Sequence, residues 1–124
     1  MKPIDQLTDA ELIAEVAEKV MGWKSEQLYS HGTTRGYFVP HIGMNHLWCP
    51  LESWKDFFMV RDVLYGKYWL FSLNDSGNDE TLVRFRKGSA YYFEFSSSRS
   101  NPVSQRRAGL QAALAAIEEK ERKS

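Results

Sequence analysis

The stretch KYWLFSLNDSGNDETLVRFRKGSAYYFEFS, residues 67–96, decides the fold. Apolar and polar residues alternate within it at the period of two that is typical of half-buried strands. We predict strands over residues 67–73, 81–86 and 90–96. The polar connection over 74–80 and the short connection over 87–89 are typical of turns. The stretch is therefore expected to form a three-stranded antiparallel meander.

One face of this meander is apolar and is expected to be buried. It carries the side chains of Trp69, Phe71, Leu73, Val83, Phe85, Tyr91, Phe93 and Phe95. The opposite face carries Tyr68, Leu70, Leu82, Arg84, Arg86, Tyr92 and Glu94. A sheet must bury its apolar face against another layer, so helices from the rest of the chain are needed to complete the core.

A first helix is predicted near the start of the chain. Thr8 and Glu11 have the spacing of a capping box, and Leu7 precedes the cap as a hydrophobic staple would. Gly22 is suited to the left-handed residue that ends a helix. The apolar face of this helix consists of Leu12, Ile13, Val16, Ala17 and Val20.

Two further helices flank the meander in sequence. The first covers residues 51–65, with Ser53 as its cap and Gly66 as its stop. The other opens at Asn101-Pro102, and its charged tail is expected to fray from about residue 118. Between the first and second helices, short strands over 27–30 and 36–39 predict a loose hairpin followed by a loop.

These elements predict one α+β domain spanning residues 1–124. We expect a mostly antiparallel sheet of four to five strands flanked by three helices, in an α-β-α layered sandwich. The 124 residues include 16 Lys and Arg against 16 Asp and Glu. This zero net charge argues against a protein that holds nucleic acid or an anionic membrane by overall attraction, although a local basic patch stays possible.

The compartment is predicted from cysteine usage and hydropathy. The single cysteine, Cys49, has no partner for an internal disulfide, and the first residues carry no apolar signal core. No apolar run approaches the roughly 20 residues of a membrane span. We expect a cytoplasmic protein of a bacterial cell that does not bind a membrane, as a monomer or a homodimer.

Three segments of the chain resemble a known family. They are VAEKVMGW at residues 16–23, WCPLESWKD at 48–56 and AGLQAALAAI at 108–117. Their order is similar to that of the phage ABA sandwich domain, a family of small bacteriophage and prophage proteins. The resemblance covers about a quarter of the chain and implies an α-β-α fold, a phage or prophage origin and no catalytic residues. Physically, the tryptophans in these segments are typical of core anchors at the ends of helices.

A histidine-containing stretch contains the sharpest chemical signal. His31, His41, His46 and Cys49 lie close together in sequence, and His46 and Cys49 have the spacing of one metal knuckle. A small metal-dependent enzyme built on His41, His46 and Cys49 is therefore one alternative. Zinc sites normally combine two such short gaps, so the sequence favours loop histidines beside a buried thiol.

Arginines and aromatic residues supply a second alternative. Arg84, Arg86 and Tyr92 share one face of the meander, and Arg106 and Arg107 lie at the start of the last helix. From Ser53 onward, the order of helix, three strands and helix is also that of double-stranded-RNA-binding domains. A nucleic-acid-binding protein could use these five residues. We expect a helix to cover part of this face of the sheet, however, with Arg84 and Arg86 at its rim.

The sequence contains no P-loop, no dinucleotide-binding glycine pattern and no nucleophile elbow. We therefore predict a small non-enzymatic phage or prophage accessory protein without a cofactor. Its expected role is to bind a host or phage protein, with nucleic-acid binding less favoured.

Overall fold

The computed structural model describes residues 3–23, 28–31, 34–39, 46–88 and 91–123, and gives side-chain environments for 3–23, 48–88 and 92–118. These residues form three α-helices: α1 (Asp9–Glu15), α2 (Trp54–Tyr65) and α3 (Pro102–Lys123). Six strands are described: β1 (Leu28–His31), β2 (Thr34–Val39), β3 (His46–Trp48), β4 (Leu70–Asp75), β5 (Glu80–Lys87) and β6 (Tyr91–Ser98). The α+β class is confirmed.

The strands form two separate antiparallel sheets within the described residues. The orders are β1-β2-β3 and β4-β5-β6. The second sheet is the predicted meander, and β1 with β2 is the predicted hairpin. The expectation of one sheet with four to five strands is wrong. The short strand β3, which sequence analysis had assigned to a loop, completes the first sheet, and α2 intervenes before the second begins.

The three described α-helices contribute to one core on a single side of the second sheet. α2 packs against β4, α3 packs against β5 and β6, and α1 packs against α3. The fully buried side chains include Phe57 and Leu64 of α2, Phe85 of β5, and Leu110 and Leu114 of α3. Because each apolar helix stripe is used in this core, no described helix is left for the outer face of β4-β5-β6. Within the described residues, the predicted α-β-α layering is thus not seen around this sheet, and the helix expected over part of its outer face is absent.

The predicted helix caps are present. Thr8 and Glu11 form both hydrogen bonds of a capping box, and the Ser53 hydroxyl accepts from the backbone N–H of Asp56. The Asn101 side chain likewise accepts from the N–H of Ser104. α1 continues as one π-helical segment over Val16–Val20, and Gly22 then adopts a left-handed φ of 74°. The charged tail of α3 remains helical to Lys123, and its fraying stays a prediction.

A glycine sets the distance between α3 and its neighbours. A Cβ on Gly109 would lie 2.5 Å from Phe57 Cε1 and 3.5 Å from Val83 Cγ1. The first distance is far inside van der Waals contact, and the phenyl ring is itself fully buried. Only glycine at this position lets α3 approach both α2 and β5.

We expect Gly109→Ala to lower the free energy of unfolding by about 1–3 kcal/mol, because overpacking outweighs the gain in helix propensity. Chemical denaturation measures the change. Gly66→Ala is the matched control, since its Cβ would meet only the carbonyl oxygen of Val63 at 3.4 Å and that of Asp62 at 3.8 Å. An equal change in both variants would contradict the close approach of α3.

Candidate interaction surface

The outer face of the second sheet is ordered by strand register. Leu70 of β4, Arg86 of β5 and Tyr92 of β6 form one row across the three strands. Ser72, Arg84 and Glu94 form the next row. Side chains that alternate with these point toward the helices, as the burial of Val83 and Phe85 shows. The structure thus brings the predicted Arg84, Arg86 and Tyr92 together.

The two arginines of this face differ in their partners. Arg84 donates from Nε and from a terminal nitrogen to one carboxylate oxygen of Glu94, at 2.8 and 2.6 Å. Its guanidinium also lies 4.4 Å from the ring centroid of Tyr92. Arg86 is exposed and makes no hydrogen bond or ion pair with any described residue. Arg86 is therefore the cation of this face that is available to a ligand.

Large side chains with apolar surface are exposed at the end of the second sheet where α2 leads into β4 and β6 begins. Tyr65 is 66% exposed, Tyr68 is 78% exposed, Leu70 is 45% exposed and Tyr92 is 53% exposed. The N–H of Tyr68 donates to the carbonyl of Tyr65, so these two tyrosines lie in one turn. We call these four residues the aromatic patch. Exposed apolar groups that cluster in this way are typical of interaction sites, whereas isolated ones are not.

Tyr68 has an unusual backbone conformation. Its φ is 71°, in the left-handed region that costs a residue other than glycine about 1–2 kcal/mol. The N–H of Trp69 donates to the carbonyl of Leu64, and the N–H of Tyr68 donates to that of Tyr65. This is the pattern of a Schellman motif, in which glycine is the usual left-handed residue. The chain leaves the helix at Gly66 as predicted, but Gly66 keeps a right-handed φ of −63°.

The structure does not place the other two predicted arginines on this surface. Arg106 is only 6% exposed; its Nε donates to the carbonyl of Leu51 at 2.7 Å, and its guanidinium lies 4.9 Å from the ring centroid of Trp54. Arg107 donates to the carboxylate of Asp9 at 2.7 Å and to the carbonyl of Leu7. Both side chains belong to the helical side of the sheet, where they join α3 to other segments.

The histidines fall in and around the first sheet. His31 pairs with Thr34 at one end of β2, and His46 pairs with Val39 at the other end. Five residue steps along β2 and two strand spacings separate their Cα atoms by about 19 Å. Two imidazoles that bind one zinc ion through bonds of about 2 Å do not reach across this gap. His41 lies outside the described residues.

Cys49 follows β3 in a segment that is fastened to α2. Its backbone N–H donates to the carboxylate of Asp56 at 2.8 Å, and the indole N–H of Trp48 donates to the carbonyl of Asp56 at 3.2 Å. Trp48 is buried, and its ring meets that of Trp23 edge-on at 4.9 Å, so the predicted role of these tryptophans as core anchors is confirmed. Burial raises the pKa of the Cys49 thiol, and the negative charges of Glu52 and Asp56 raise it further. The folded protein therefore disfavours the thiolate, which is the nucleophilic form of a cysteine.

Within the described residues, no group of three or more His, Cys, Asp or Glu side chains is placed to hold a metal ion. Nor does any helix in that part of the chain combine the length and apolar character needed to cross a membrane. No protein-family model, curated protein or solved structure matches this chain. The resemblance to phage ABA sandwich domains therefore stays a prediction.

Sequence reasoning missed part of the surface. It placed Tyr68 and Leu70 on the outer face but did not include them, or Tyr65, among the candidate binding residues. A signal for Tyr65 was present, because it lies next to Leu64 at the end of the apolar stripe of α2 and does not itself continue that stripe. No sequence pattern indicated that the left-handed residue would be Tyr68 and not the nearby Gly66.

The raised pKa of Cys49 predicts slow alkylation. In the folded protein, the pH at which the iodoacetamide rate reaches half its maximum should lie above that of the same thiol in urea, because the folded state disfavours the thiolate. Mass spectrometry of the alkylated chain from pH 7 to 10 measures both rates. A folded-state midpoint equal to the unfolded one would contradict the raised pKa, and a lower one would show that Cys49 is an activated thiol.

Proposed function

We propose that this protein is a non-enzymatic binding protein that holds another protein through the aromatic patch and Arg86. The observation that carries this proposal is the exposure of Tyr65, Tyr68, Leu70 and Tyr92 around one end of the second sheet. Tyrosine and arginine are over-represented among the residues that contribute most to protein–protein affinity. Their combination with one apolar leucine is suited to a protein surface.

The cost of the Tyr68 conformation supports a role for its side chain in binding. A glycine would adopt the same φ without steric penalty, and the exposed ring of Tyr68 contributes little to the core. Backbone strain of this kind is concentrated at functional sites, where the side chain is needed for contacts outside the fold. Tyr68 is therefore the residue of the patch on which we expect binding to depend most.

The arginines give less support to nucleic-acid binding. Of the four that sequence analysis considered, Arg84, Arg106 and Arg107 donate to acceptors within the protein. The order α2-β4-β5-β6-α3 matches that of double-stranded-RNA-binding domains, but the basic start of α3 is used in folding. With zero net charge and one available arginine on the face, few phosphates would be neutralised.

The proposed biological setting is a bacteriophage or prophage, with the protein acting in the bacterial cytoplasm on a host or phage protein. This part of the proposal is supported by the resemblance of the three segments to phage ABA sandwich domains. The proposal of a non-enzymatic role is supported by the raised pKa of Cys49, which disfavours the thiolate that a nucleophilic cysteine needs.

The test begins with three immobilised proteins: wild type, Tyr68→Gly and Val103→Ser. Val103 is the matched control, because it is an apolar side chain of α3 with 42% exposure outside the aromatic patch. Proteins captured from lysates of phage-infected bacteria are identified by mass spectrometry. Each candidate is then purified, and its affinity for the three proteins is measured by calorimetry.

We expect Tyr68→Gly to weaken the Kd of the purified partner at least tenfold, which is about 1.4 kcal/mol, and Val103→Ser to change it less than twofold. Tyr68→Gly should leave the free energy of unfolding unchanged or raise it by about 1 kcal/mol, because glycine relieves the left-handed strain. Asparagine also tolerates this φ, so Tyr68→Asn should weaken binding to a similar extent. Equal affinity of wild type and both Tyr68 variants for every captured protein would overturn the proposed function.

A further inference from the structure

Strand β4 has one unpaired edge in the part of the chain that the structure describes. It pairs with β5 on one side, and its outward backbone groups make no hydrogen bond with another described element. From Leu70 to Asn74 it contains no charged residue and no proline. Natural sheets usually protect an exposed edge with such residues, so an uncharged edge of this length is a template for another strand.

The opposite edge of the sheet is less accessible. α3 packs along β6, and the N–H of Ser98 donates to the hydroxyl of Ser104 at 3.0 Å. One backbone donor of β6 is thus already used by α3, and β6 also contains the charged Glu94, a residue type that disfavours strand addition. The β4 edge is the better site for an added strand.

A depression on the outer face lies beside the β4 edge. It has a volume of about 450 Å³ and is lined by residues of β4 and β5. The lining residues are Leu70, Phe71, Ser72, Asn74, Arg84 and Arg86. Alternate side chains of a strand that is added to β4 would lie on this same face. The depression therefore provides space for side chains of a bound segment.

Charge complementarity identifies the chemistry of that segment. Arg84 is neutralised by Glu94, whereas Arg86 has no described partner and lies between Leu70 and Tyr92 in its row. In an added strand, the residue opposite Leu70 would have its Cα about 10 Å from that of Arg86, two strand spacings away. A glutamate and an arginine side chain together span this distance. The segment should thus place an acidic residue opposite Leu70.

We propose that the β4 edge binds an extended segment of a partner protein by antiparallel strand addition, with an acidic side chain of the segment paired to Arg86. Main-chain hydrogen bonds along β4 supply affinity, and the pairing with Arg86 sets the register. This inference rests on the proposed function and names the kind of segment that the surface takes. The aromatic patch lies at the end of β4 where the acidic residue would bind.

Two capped hexapeptides test this inference. Thr-Val-Thr-Val-Glu-Val places valines opposite Phe71 and Leu73 and its glutamate opposite Leu70; in the second peptide, lysine replaces the glutamate. Each is titrated into the ¹⁵N-labelled protein, and the backbone amide signals are followed by NMR. We expect the largest shifts in β4, and an affinity for the lysine peptide at least fivefold weaker than for the glutamate peptide. Arg86→Gln should reduce this ratio to about one.

Arg61→Gln is the matched control, because Arg61 is a partly exposed arginine of α2 that pairs with Asp62 and stacks on Phe58. It should leave the ratio of the two peptide affinities unchanged. Absence of binding by both peptides at millimolar concentration, shifts confined to residues outside β4, or equal affinities in the wild type would each overturn the inference. The inference would also be overturned if single-stranded oligothymidylate bound more tightly than the glutamate peptide and displaced it. The same holds if a second copy of the chain paired with the β4 edge in a dimer.

The experiment on the purified partner separates the two proposals. Suppose that Tyr68→Gly weakens the affinity for that partner while the β4 amides gain no protection from hydrogen exchange in the complex. Strand addition is then wrong and the proposed function stands. If the partner protects the β4 amides from exchange, and Arg86→Gln weakens the affinity for the partner at least threefold, both proposals are supported. If neither Tyr68 nor Arg86 affects any captured partner, both fail.

Discussion

The close approach of α3 to Phe57 and the second sheet is the constraint on which the rest of the structure depends. Gly109 permits that approach, and small side chains continue it along the buried stripe at Ala112, Ala113 and Ala116. Since a helix with larger residues at these positions would stand farther away, the aromatic side chains of α2, β4 and β5 would lose their packing. α1 then packs on α3, so one helix organises the whole core.

This arrangement determines which charges are left for function. Arg106 and Arg107 lie on α3 near its beginning, and both are drawn into contacts that hold the chain at Leu51, Leu7 and Asp9. A buried guanidinium that donates to a backbone carbonyl is part of the fold, whatever its formal charge indicates in the sequence. The outer face of the sheet, in contrast, has no described helix on it. Its charge and its exposed apolar groups are free for a partner, which is why the candidate surface lies there.

Local patterns in the sequence predicted most of the elements and their caps, because a cap depends on residues within one turn. Thr8 with Glu11 and Ser53 with Asp56 are such cases. What the sequence did not predict depends on contacts between distant segments. The division into two sheets, the packing of every helix on one side and the burial of Arg106 beside Trp54 all arise from tertiary packing. The alternation of residues along the strands correctly placed Arg84, Arg86 and Tyr92 on one face, because it is a local pattern. It did not show that Arg84 is paired with Glu94 while Arg86 is available, because that depends on contacts between strands.

Two features that each carry a cost meet at the same end of β4. The left-handed φ of Tyr68 costs conformational energy, and an unpaired edge without charge from Leu70 to Asn74 carries a risk of unwanted association. Neither feature improves the core, since the ring of Tyr68 is exposed and the β4 edge bonds to no other described element. Glycine at position 68 and a lysine in β4 would remove both costs without disturbing the contacts of Phe57 or Phe85. A fold that needed only stability would be expected to use those simpler residues. Both features lie beside an unneutralised arginine, and the proposed binding of a segment at this edge would give them a common explanation.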